Sequence, residues 1–141
     1  MDKNININIL LVDDSAADTL ITSKVIERDT PKGVTVHIST ASRLSDAETM
    51  LGTENYDCVL LDLYLPDGRG PDNIQKLHQL SPHTPIIVLS GSDQIRSQEE
   101  ALQHGACAFI IKQPYKQADN ILAVVMHSLE QIENQAGKTV Q

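Results

Sequence analysis

The sequence is poor in aromatic residues and in positive charge. It contains one Phe, three Tyr and no Trp among 141 residues, so it has little material for the stacking platforms that bind single-stranded nucleic acid. Eleven Lys and Arg residues against nineteen Asp and Glu residues give a net charge of −8. This balance argues against a nucleic-acid backbone or an anionic membrane surface as a partner.

Cysteine and long apolar runs are also scarce. The two cysteines, Cys58 and Cys107, are too few for a disulfide framework and lie in apolar runs, so we expect both to be small buried side chains in a reducing compartment. The apolar stretch 5–12 is interrupted by Asn6 and Asn8 and is too short for a signal peptide or a membrane span. We therefore expect a cytoplasmic protein.

What the sequence does contain is a regular alternation of short aliphatic runs with segments of helical period. The predicted strands are Ile7–Val12, Val34–Ser39, Cys58–Leu63, Ile86–Ser90 and Ala108–Lys112. The predicted helices are Ala16–Arg28, Leu44–Gly52, Asp72–Leu80, Ser97–His104 and Gln117–Gln135. The last three strands are nearly continuous apolar runs, as in parallel strands covered on both faces.

Five strand–helix repeats predict an α/β fold with a doubly wound, five-stranded parallel sheet, (βα)5, because parallel neighbours need crossover helices. With 40% apolar residues, a chain of this length suits one domain with a real core. No linker or internal repeat divides it. We expect one domain over residues 1–135 and a frayed tail over residues 136–141.

Polar residues follow four of the predicted strands at their carboxyl ends, where open α/β sheets bind ligands. The first strand runs into Asp13 and Asp14, the third into Asp62, the fourth ends at Ser90, and the fifth ends at Lys112. Neighbouring carboxylates repel one another unless a cation is present, and Mg²⁺ is a hard ion that prefers carboxylate and phosphate oxygens. A carboxylate can also attack phosphorus to give an aspartyl phosphate, with a lysine and a hydroxyl stabilising the phosphoryl oxygens.

Each of these residues also has a purely structural interpretation. Asp13 and Asp14 could be an acidic pair at a helix N-terminus, Ser90 could start a turn, and Lys112 could be a solvated strand end. Asp62 is harder to explain in this way, because a carboxylate among apolar residues costs several kcal/mol to bury without a partner.

Two further features favour structural interpretations. The segment PDGRG at residues 66–70 is typical of a tight loop whose glycines take positive φ angles, and we expect no catalytic role for it. The histidines show no spacing typical of a metal site; they are His37, His78, His83, His104 and His127.

Four segments together resemble the receiver domain of two-component response regulators. They are ILLVDDS at residues 9–15, DCVLLDLYLPDGRG at 57–70, PIIVLSG at 85–91 and GACAFIIK at 105–112. Each motif alone is weak, but the four occur in the family's order and spacing, and the resemblance spans residues 7–132. It implies a flavodoxin-like sheet with strand order 2-1-3-4-5.

The resemblance also implies a role for each matching residue. Asp62 would accept the phosphoryl group, and the Mg²⁺ ligands would be Asp13, Asp14, Asp62 and the backbone carbonyl of Tyr64. Lys112 would pair with the phosphoryl group or, in its absence, with the acceptor carboxylate. Ser90 would bond a phosphoryl oxygen and move toward it on activation, and Phe109 takes the position of the family's switch aromatic.

The sequence departs from the family pattern in three places. Gln113 stands between the lysine and Pro114, where the family usually has proline after a cis bond, and a cis bond before a non-proline residue costs about 2.5–4 kcal/mol. Phe109 lacks the hydroxyl of the commoner Tyr, so its switch would be steric. Tyr64 is bulky, and we hypothesise that it screens the acceptor from attacking water and slows loss of the phosphoryl group.

The resemblance implies a phosphorylation-activated signalling switch, self-phosphorylating rather than an enzyme in the usual sense. Its partners would be a sensor histidine kinase or histidine phosphotransfer protein and a target protein, with contacts through the fourth helix, fifth strand and fifth helix. No output module is present, so we expect a stand-alone receiver, not a DNA-binding regulator. Two alternatives stay open: a Mg²⁺-dependent aspartyl-phosphate phosphatase of haloacid-dehalogenase type, and a pseudo-receiver that is not phosphorylated.

Overall fold

The computed structural model describes residues 4–90, 95–112 and 121–140. The strands within these residues are β1 (Ile5–Val12), β2 (Val34–Ala41), β3 (Cys58–Asp62), β4 (Tyr64–Leu65), β5 (Gly68–Arg69), β6 (Ile86–Ser90) and β7 (Ala108–Ile111). The helices in the same ranges are α1 (Ala16–Asp29), α2 (Leu44–Thr53), α3 (Asp72–Leu80), α4 (Ile95–Gln103) and α5 (Ile121–Val140).

Five of the strands form one parallel sheet in the order β2-β1-β3-β6-β7. Counting only these five long strands along the chain, this is the predicted order 2-1-3-4-5, and the predicted flavodoxin-like architecture is confirmed. The register pairs Val12 with Leu61 and Asp62 with Leu89. The carboxyl ends of the central strands therefore lie side by side at one edge of the sheet.

The core consists of two apolar layers, one on each face of the sheet, because successive strand residues point to opposite faces. On one face Leu10 and Leu61 pack in a cluster that includes residues of α2, α3 and α4. On the other face Ile9 and Leu60 pack in a cluster with residues of α1 and α5. Every residue of β3 and β6 is buried, as their continuous apolar runs predict, whereas β7 is an edge strand and is only partly buried.

The structure corrects the predicted apolar face of α1. The sequence period groups Leu20, Ile21 and Val25, but Leu20 is 56% exposed and Ile21 is 49% exposed. The buried residues of α1 are Thr22 and Ile26, four residues apart on one face. Ile26 packs with the β1 side chains and α5, and this contact sets the rotation of the helix.

Several helix ends also differ from prediction. Helix α4 begins two residues before the predicted Ser97, and α5 continues to Val140, through the region expected to be a frayed tail from Ala136. The predicted start of α5 at Gln117 lies outside the described residues, as does the turn that contains Gln113. In α3, Ile74 and Leu77 are buried, but Leu80 at the end of the helix is 51% exposed.

The loop after β3 contains a short antiparallel hairpin, β4–β5, which the sequence did not predict. Positive φ angles were expected at both glycines of this loop, but of the two only Gly70 has one, at +87°. Gly68 is needed for space instead, because a Cβ there would lie 2.5 Å from the side-chain oxygen of Asn73.

Cys58 is buried as expected, but Cys107 is exposed, so its predicted burial is wrong. Cys107 directly precedes the edge strand β7, where the sheet covers it on one side only. Within the described part of the chain, no helix is both long and apolar enough to cross a membrane.

Candidate functional site

The predicted polar residues meet at the carboxyl edge of the sheet. Asp13 follows β1, Asp62 ends β3, Ser90 ends β6, and Lys112 follows β7. Asp13, Asp62 and Ser90 are buried, whereas Asp14 is exposed. Backbone bonds hold the strand ends: the N–H of Asp13 donates to the carbonyl of Ala41, and that of Lys112 to the carbonyl of Ser90.

Lys112 is at the centre of the site and contacts three carboxylates. Its Nζ lies 2.9 Å from Oδ2 of Asp13, 3.0 Å from Oδ2 of Asp18 and 3.1 Å from Oδ2 of Asp62. An ammonium group has three N–H donors and no acceptor, so these three contacts match its full donor capacity. The side chain of Lys112 is 20% exposed, and its charge is balanced within the site.

Backbone N–H groups orient the two buried carboxylates. Oδ1 of Asp13 accepts a hydrogen bond from the N–H of Ser15 (2.9 Å), and Oδ1 of Asp62 accepts one from the N–H of Tyr64 (3.0 Å). In both residues the second oxygen, Oδ2, faces Lys112. Each carboxylate is therefore fixed at both oxygens, which defines the direction in which it can react or bind.

Burial has the largest effect on the pKa of Asp62, the candidate acceptor. Burial and the negative charge of Asp13 raise the pKa of Asp62, although the N–H of Tyr64 and the ammonium of Lys112 act in the opposite direction. For Lys112, burial disfavours the charge, but the hydrogen bonds that its ammonium donates to Asp13 and Asp18, together with the charge of Asp62, outweigh it, so its pKa is raised. The lysine thus stays charged while the site retains surplus negative charge.

The surplus charge is concentrated in a group of three carboxylates. Asp13, Asp14 and Asp62 each offer an oxygen, and these oxygens all lie within 4.8 Å of one another. Among the described residues this is the one group of three or more acidic, His or Cys side chains close enough to share a metal ion. A set of carboxylate oxygens is the donor set that Mg²⁺ prefers, so the residues present fit the expected ion.

Two other predicted residues flank this group. Phe109 is partly buried and packs against the cluster that contains Leu61 and Val88. The side chain of Tyr64 is 57% exposed, while its backbone is bound to Asp62.

Two side chains that sequence reasoning missed hold the loop after Asp62. The amide of Asn73 donates to the carbonyls of Leu63 (3.4 Å) and Gly68 (2.8 Å). The carboxylate of Asp67 accepts the N–H groups of Leu44 and Ser45 at the start of α2. The loop that carries Tyr64 is therefore tied to two helices.

Asp18 is the third residue that sequence reasoning missed. A Ser followed three residues later by an acidic residue, as in Ser15 and Asp18, is typical of a capped helix N-terminus, and this interpretation explains Asp18 without any contact to Lys112. Asp18 and Lys112 are 94 positions apart in sequence, so only the tertiary fold brings them together.

Comparison with known proteins agrees with this geometry. The response regulator receiver domain family matches residues 9–126. The chain is 36% identical over 83 residues to the regulatory protein LuxO of Vibrio cholerae, covering 59% of this chain and 18% of that protein. It is 32% identical over 118 residues to the transcriptional regulatory protein SrrA of Staphylococcus aureus, covering 82% of this chain and 45% of that protein. The chain thus spans less than half the length of these relatives.

The fold has matches among solved structures as well. A CheY-like response regulator receiver domain protein from Methanospirillum hungatei superposes with a TM-score of 0.77 at 24% identity, covering 92% of this chain and 98% of that one. This likeness concerns the fold, whereas the family match covers the segments that contain all three site carboxylates and Lys112. The chain therefore belongs to the response regulator receiver domain family.

Proposed function

We propose that this receiver domain is a phosphorylation-controlled switch whose phosphoacceptor is Asp62. The observation that carries the proposal is the environment of that carboxylate: it is buried at the end of β3, bound to Lys112, and grouped with Asp13 and Asp14. A buried acidic residue with two acidic neighbours is costly for stability. Such an arrangement is favoured where a ligand or a reaction uses the charge.

In the proposed reaction, a carboxylate oxygen of Asp62 attacks the phosphorus atom of a phosphohistidine on the donor protein. A P–O bond forms to Asp62 and the P–N bond to the histidine breaks; the imidazole nitrogen leaves with the electron pair and takes up a proton. Lys112, already beside Oδ2 of Asp62, stabilises the negative charge on the phosphoryl oxygens as they pass to the acceptor.

The residues that would hold Mg²⁺ are Asp13, Asp14 and Asp62, together with the backbone carbonyl of Tyr64. The hydrogen bond from the Tyr64 N–H to Asp62 supports the last assignment, because it holds the residue that carries this carbonyl beside the proposed acceptor. When bound, the ion would neutralise charge on the carboxylates and on the phosphoryl oxygens.

Ser90 and Phe109 are the proposed switch residues. Ser90 is buried at the end of β6, in the strand beside the acceptor strand, and its hydroxyl would bond a phosphoryl oxygen. Phe109 lies on β7 opposite Val88, which precedes Ser90 by two residues on β6, and would follow Ser90 by steric packing alone. Phosphorylation would thus shift an existing equilibrium between two arrangements.

The proposed partners are a sensor histidine kinase or a histidine phosphotransfer protein as donor, and a target protein as receiver of the signal. The net charge of −8 supports protein contacts over nucleic acid or membrane. We further propose a cytoplasmic location, a receiver domain over residues 1–135, and self-phosphorylation rather than turnover of a separate substrate.

The experiment is an intact-mass measurement after incubation with Mg²⁺ and acetyl phosphate. The wild type should gain one phosphoryl group, and Asp62→Asn should gain none. Asp57→Asn is the matched control, because it removes a carboxylate from the opposite end of the same strand, where Asp57 binds the N–H of Asn8. Equal modification of the wild type and Asp62→Asn would overturn the assignment of the acceptor.

Two related measurements separate the alternatives. Continuous release of phosphate from a small phosphomonoester, with many turnovers per protein, would favour a phosphatase of haloacid-dehalogenase type. A wild type that binds Mg²⁺ but stays unmodified with every donor would favour a pseudo-receiver. The family match and the solved relatives support the receiver and give no support to the phosphatase.

A further inference from the structure

We infer that Asp18 is a positioning residue for Lys112: it keeps the lysine ammonium beside the acceptor when a cation occupies the three-carboxylate group. The inference rests on the proposed function of Asp62. It assigns a role in phosphoryl transfer to a residue on α1 that belongs neither to the acidic pair nor to the acceptor loop.

The first observation is that only two of the three carboxylates in contact with Lys112 belong to the three-carboxylate group. Asp13 and Asp62 belong to the group whose oxygens lie within 4.8 Å of one another, and Asp18 does not. A cation in that group competes with the ammonium for the oxygens of Asp13 and Asp62. Asp18, 3.0 Å from Nζ, is then the acceptor that can hold the lysine without giving up a cation ligand.

The second observation is that the carboxylate of Asp18 does not make the hydrogen bond that is usual at its position in a capping box. Ser15 caps α1, since its Oγ accepts the N–H of Asp18 at 3.2 Å. In a complete capping box the acidic residue reaches back to the N–H of the cap residue. Here the N–H of Ser15 donates to Oδ1 of Asp13 instead, so the carboxylate of Asp18 is directed to Lys112.

Two structural roles for Asp18 must be separated from the proposed one. A carboxylate in the first turn favours the helix dipole, and an ion pair with a 45% exposed partner is usually worth little to stability. The helix-dipole effect would persist without Lys112, whereas the ion pair needs the lysine but contributes little to stability. The positioning role acts only through Lys112 and therefore disappears when the lysine is removed.

The test is a double-mutant cycle with the full chain: wild type, Asp18→Ala, Lys112→Ala and the double variant. The initial rate of phosphorylation is measured by intact mass with saturating Mg²⁺ and acetyl phosphate. We expect Asp18→Ala to lower the rate on the order of tenfold, because the flexible lysine side chain is then no longer held in place and must be ordered during the reaction. In the Lys112→Ala background it should have no further effect.

The matched control is Asp46→Ala. Asp46 is an exposed carboxylate in the first turn of α2 and lines the same cleft as Asp14, so its removal changes the local charge equally without touching Lys112's anchors. It should leave the rate unchanged. An equal loss in both lysine backgrounds, an equal loss in Asp46→Ala, or no loss with Lys112 present would overturn the inference.

A second measurement decides the point even if phosphorylation is too slow to follow. The ammonium protons of Lys112 can be observed by ¹H–¹⁵N NMR when they are held in hydrogen bonds and exchange slowly with water. We expect this signal to survive Mg²⁺ addition in the wild type and to be lost in Asp18→Ala with Mg²⁺. Survival in Asp18→Ala would overturn the inference; failure of Asp62 to accept phosphate would instead overturn the proposed function.

Discussion

Asp67 caps a helix that begins 23 residues earlier in the chain: its Oδ1 lies 2.7 Å from the backbone nitrogen of Leu44, the first residue of α2. Its second oxygen accepts the N–H of Ser45 at 2.9 Å. The residue in the N-cap position, Arg43, makes no capping hydrogen bond with its side chain. The hairpin after the acceptor strand thus satisfies donors of α2 that would otherwise lack partners within the helix.

Asp67→Ala should therefore lower the melting temperature and increase hydrogen exchange at the amides of Leu44 and Ser45. These backbone N–H groups lower the pKa of Asp67 below its ordinary value of 3.8. A lowered folded-state pKa means that the stabilisation is present above pH 3.8 and is lost as the pH falls through the folded value. Thermal melts of both proteins should accordingly converge in acid; a constant difference down to low pH would contradict this account.

Gly68 is expected to tolerate no side chain. In Gly68→Ala the new Cβ would lie 2.5 Å from Oδ1 of Asn73 and 3.2 Å from Leu44, so Asn73 must give up its hold on the loop. We expect a loss of about 1–3 kcal/mol in the free energy of unfolding, measured by urea denaturation. The control is Gly52→Ala in α2, where nothing lies within 4 Å and alanine should add up to about 1 kcal/mol.

Asp62→Asn should stabilise the metal-free protein at neutral pH. The pKa of Asp62 is raised by burial and by Asp13, so folding favours the protonated form; its contribution is full below pH 3.8 and is lost as the pH rises through the folded value. Asparagine has no charge to bury, so the free energy of unfolding should rise by roughly 1 kcal/mol. The melting temperature should rise by a few degrees as a result.

The stabilisation by Asp62→Asn should shrink in acid, where the wild-type carboxyl is protonated, and thermal melts across pH 3–8 measure it. Lys112 retains Asp13 and Asp18 as partners, so loss of one contact does not leave its charge unpaired. Lower stability of Asp62→Asn at pH 7 would contradict the expectation.

Tyr64→Ala should speed the loss of the phosphoryl group from Asp62. Tyr64 is 57% exposed and its backbone N–H is bound to Asp62; on the screening hypothesis, removal of its ring opens a path for water. The measurement is the decay of phosphorylated protein by intact mass after removal of the donor. Tyr64→Phe, which keeps the ring, should decay as the wild type does; an unchanged rate in Tyr64→Ala would defeat the screening hypothesis.

The rotation of α1 can be tested by two substitutions on its opposite faces. Ile26→Ala removes a fully buried side chain and should cost about 2–5 kcal/mol in the free energy of unfolding. Leu20→Ala removes a side chain that is 56% exposed and should change it by no more than about 0.5 kcal/mol. Similar losses at both positions, in urea denaturation, would mean that the helix packs with its other face.

The sequence by itself determined the fold and the residues that meet at the sheet edge. The strands β3 and β6 are continuous apolar runs, and such runs have few alternatives to a doubly covered parallel strand. The polar residues Asp13, Asp62 and Ser90 stand at the carboxyl ends of β1, β3 and β6. Because parallel strands share one carboxyl edge, local pattern alone predicts that these residues converge.

The tertiary structure decided what each side chain contacts. Leu20 and Ile21 fit the helical period as well as Ile26 does, and only packing against β1 and α5 selects Ile26. Asp18 fits a capping box until Asp13 takes the N–H of Ser15 and leaves its carboxylate to Lys112. These contacts join residues far apart in the chain, and their geometry depends on how whole elements are rotated and stacked, which local periodicity does not encode.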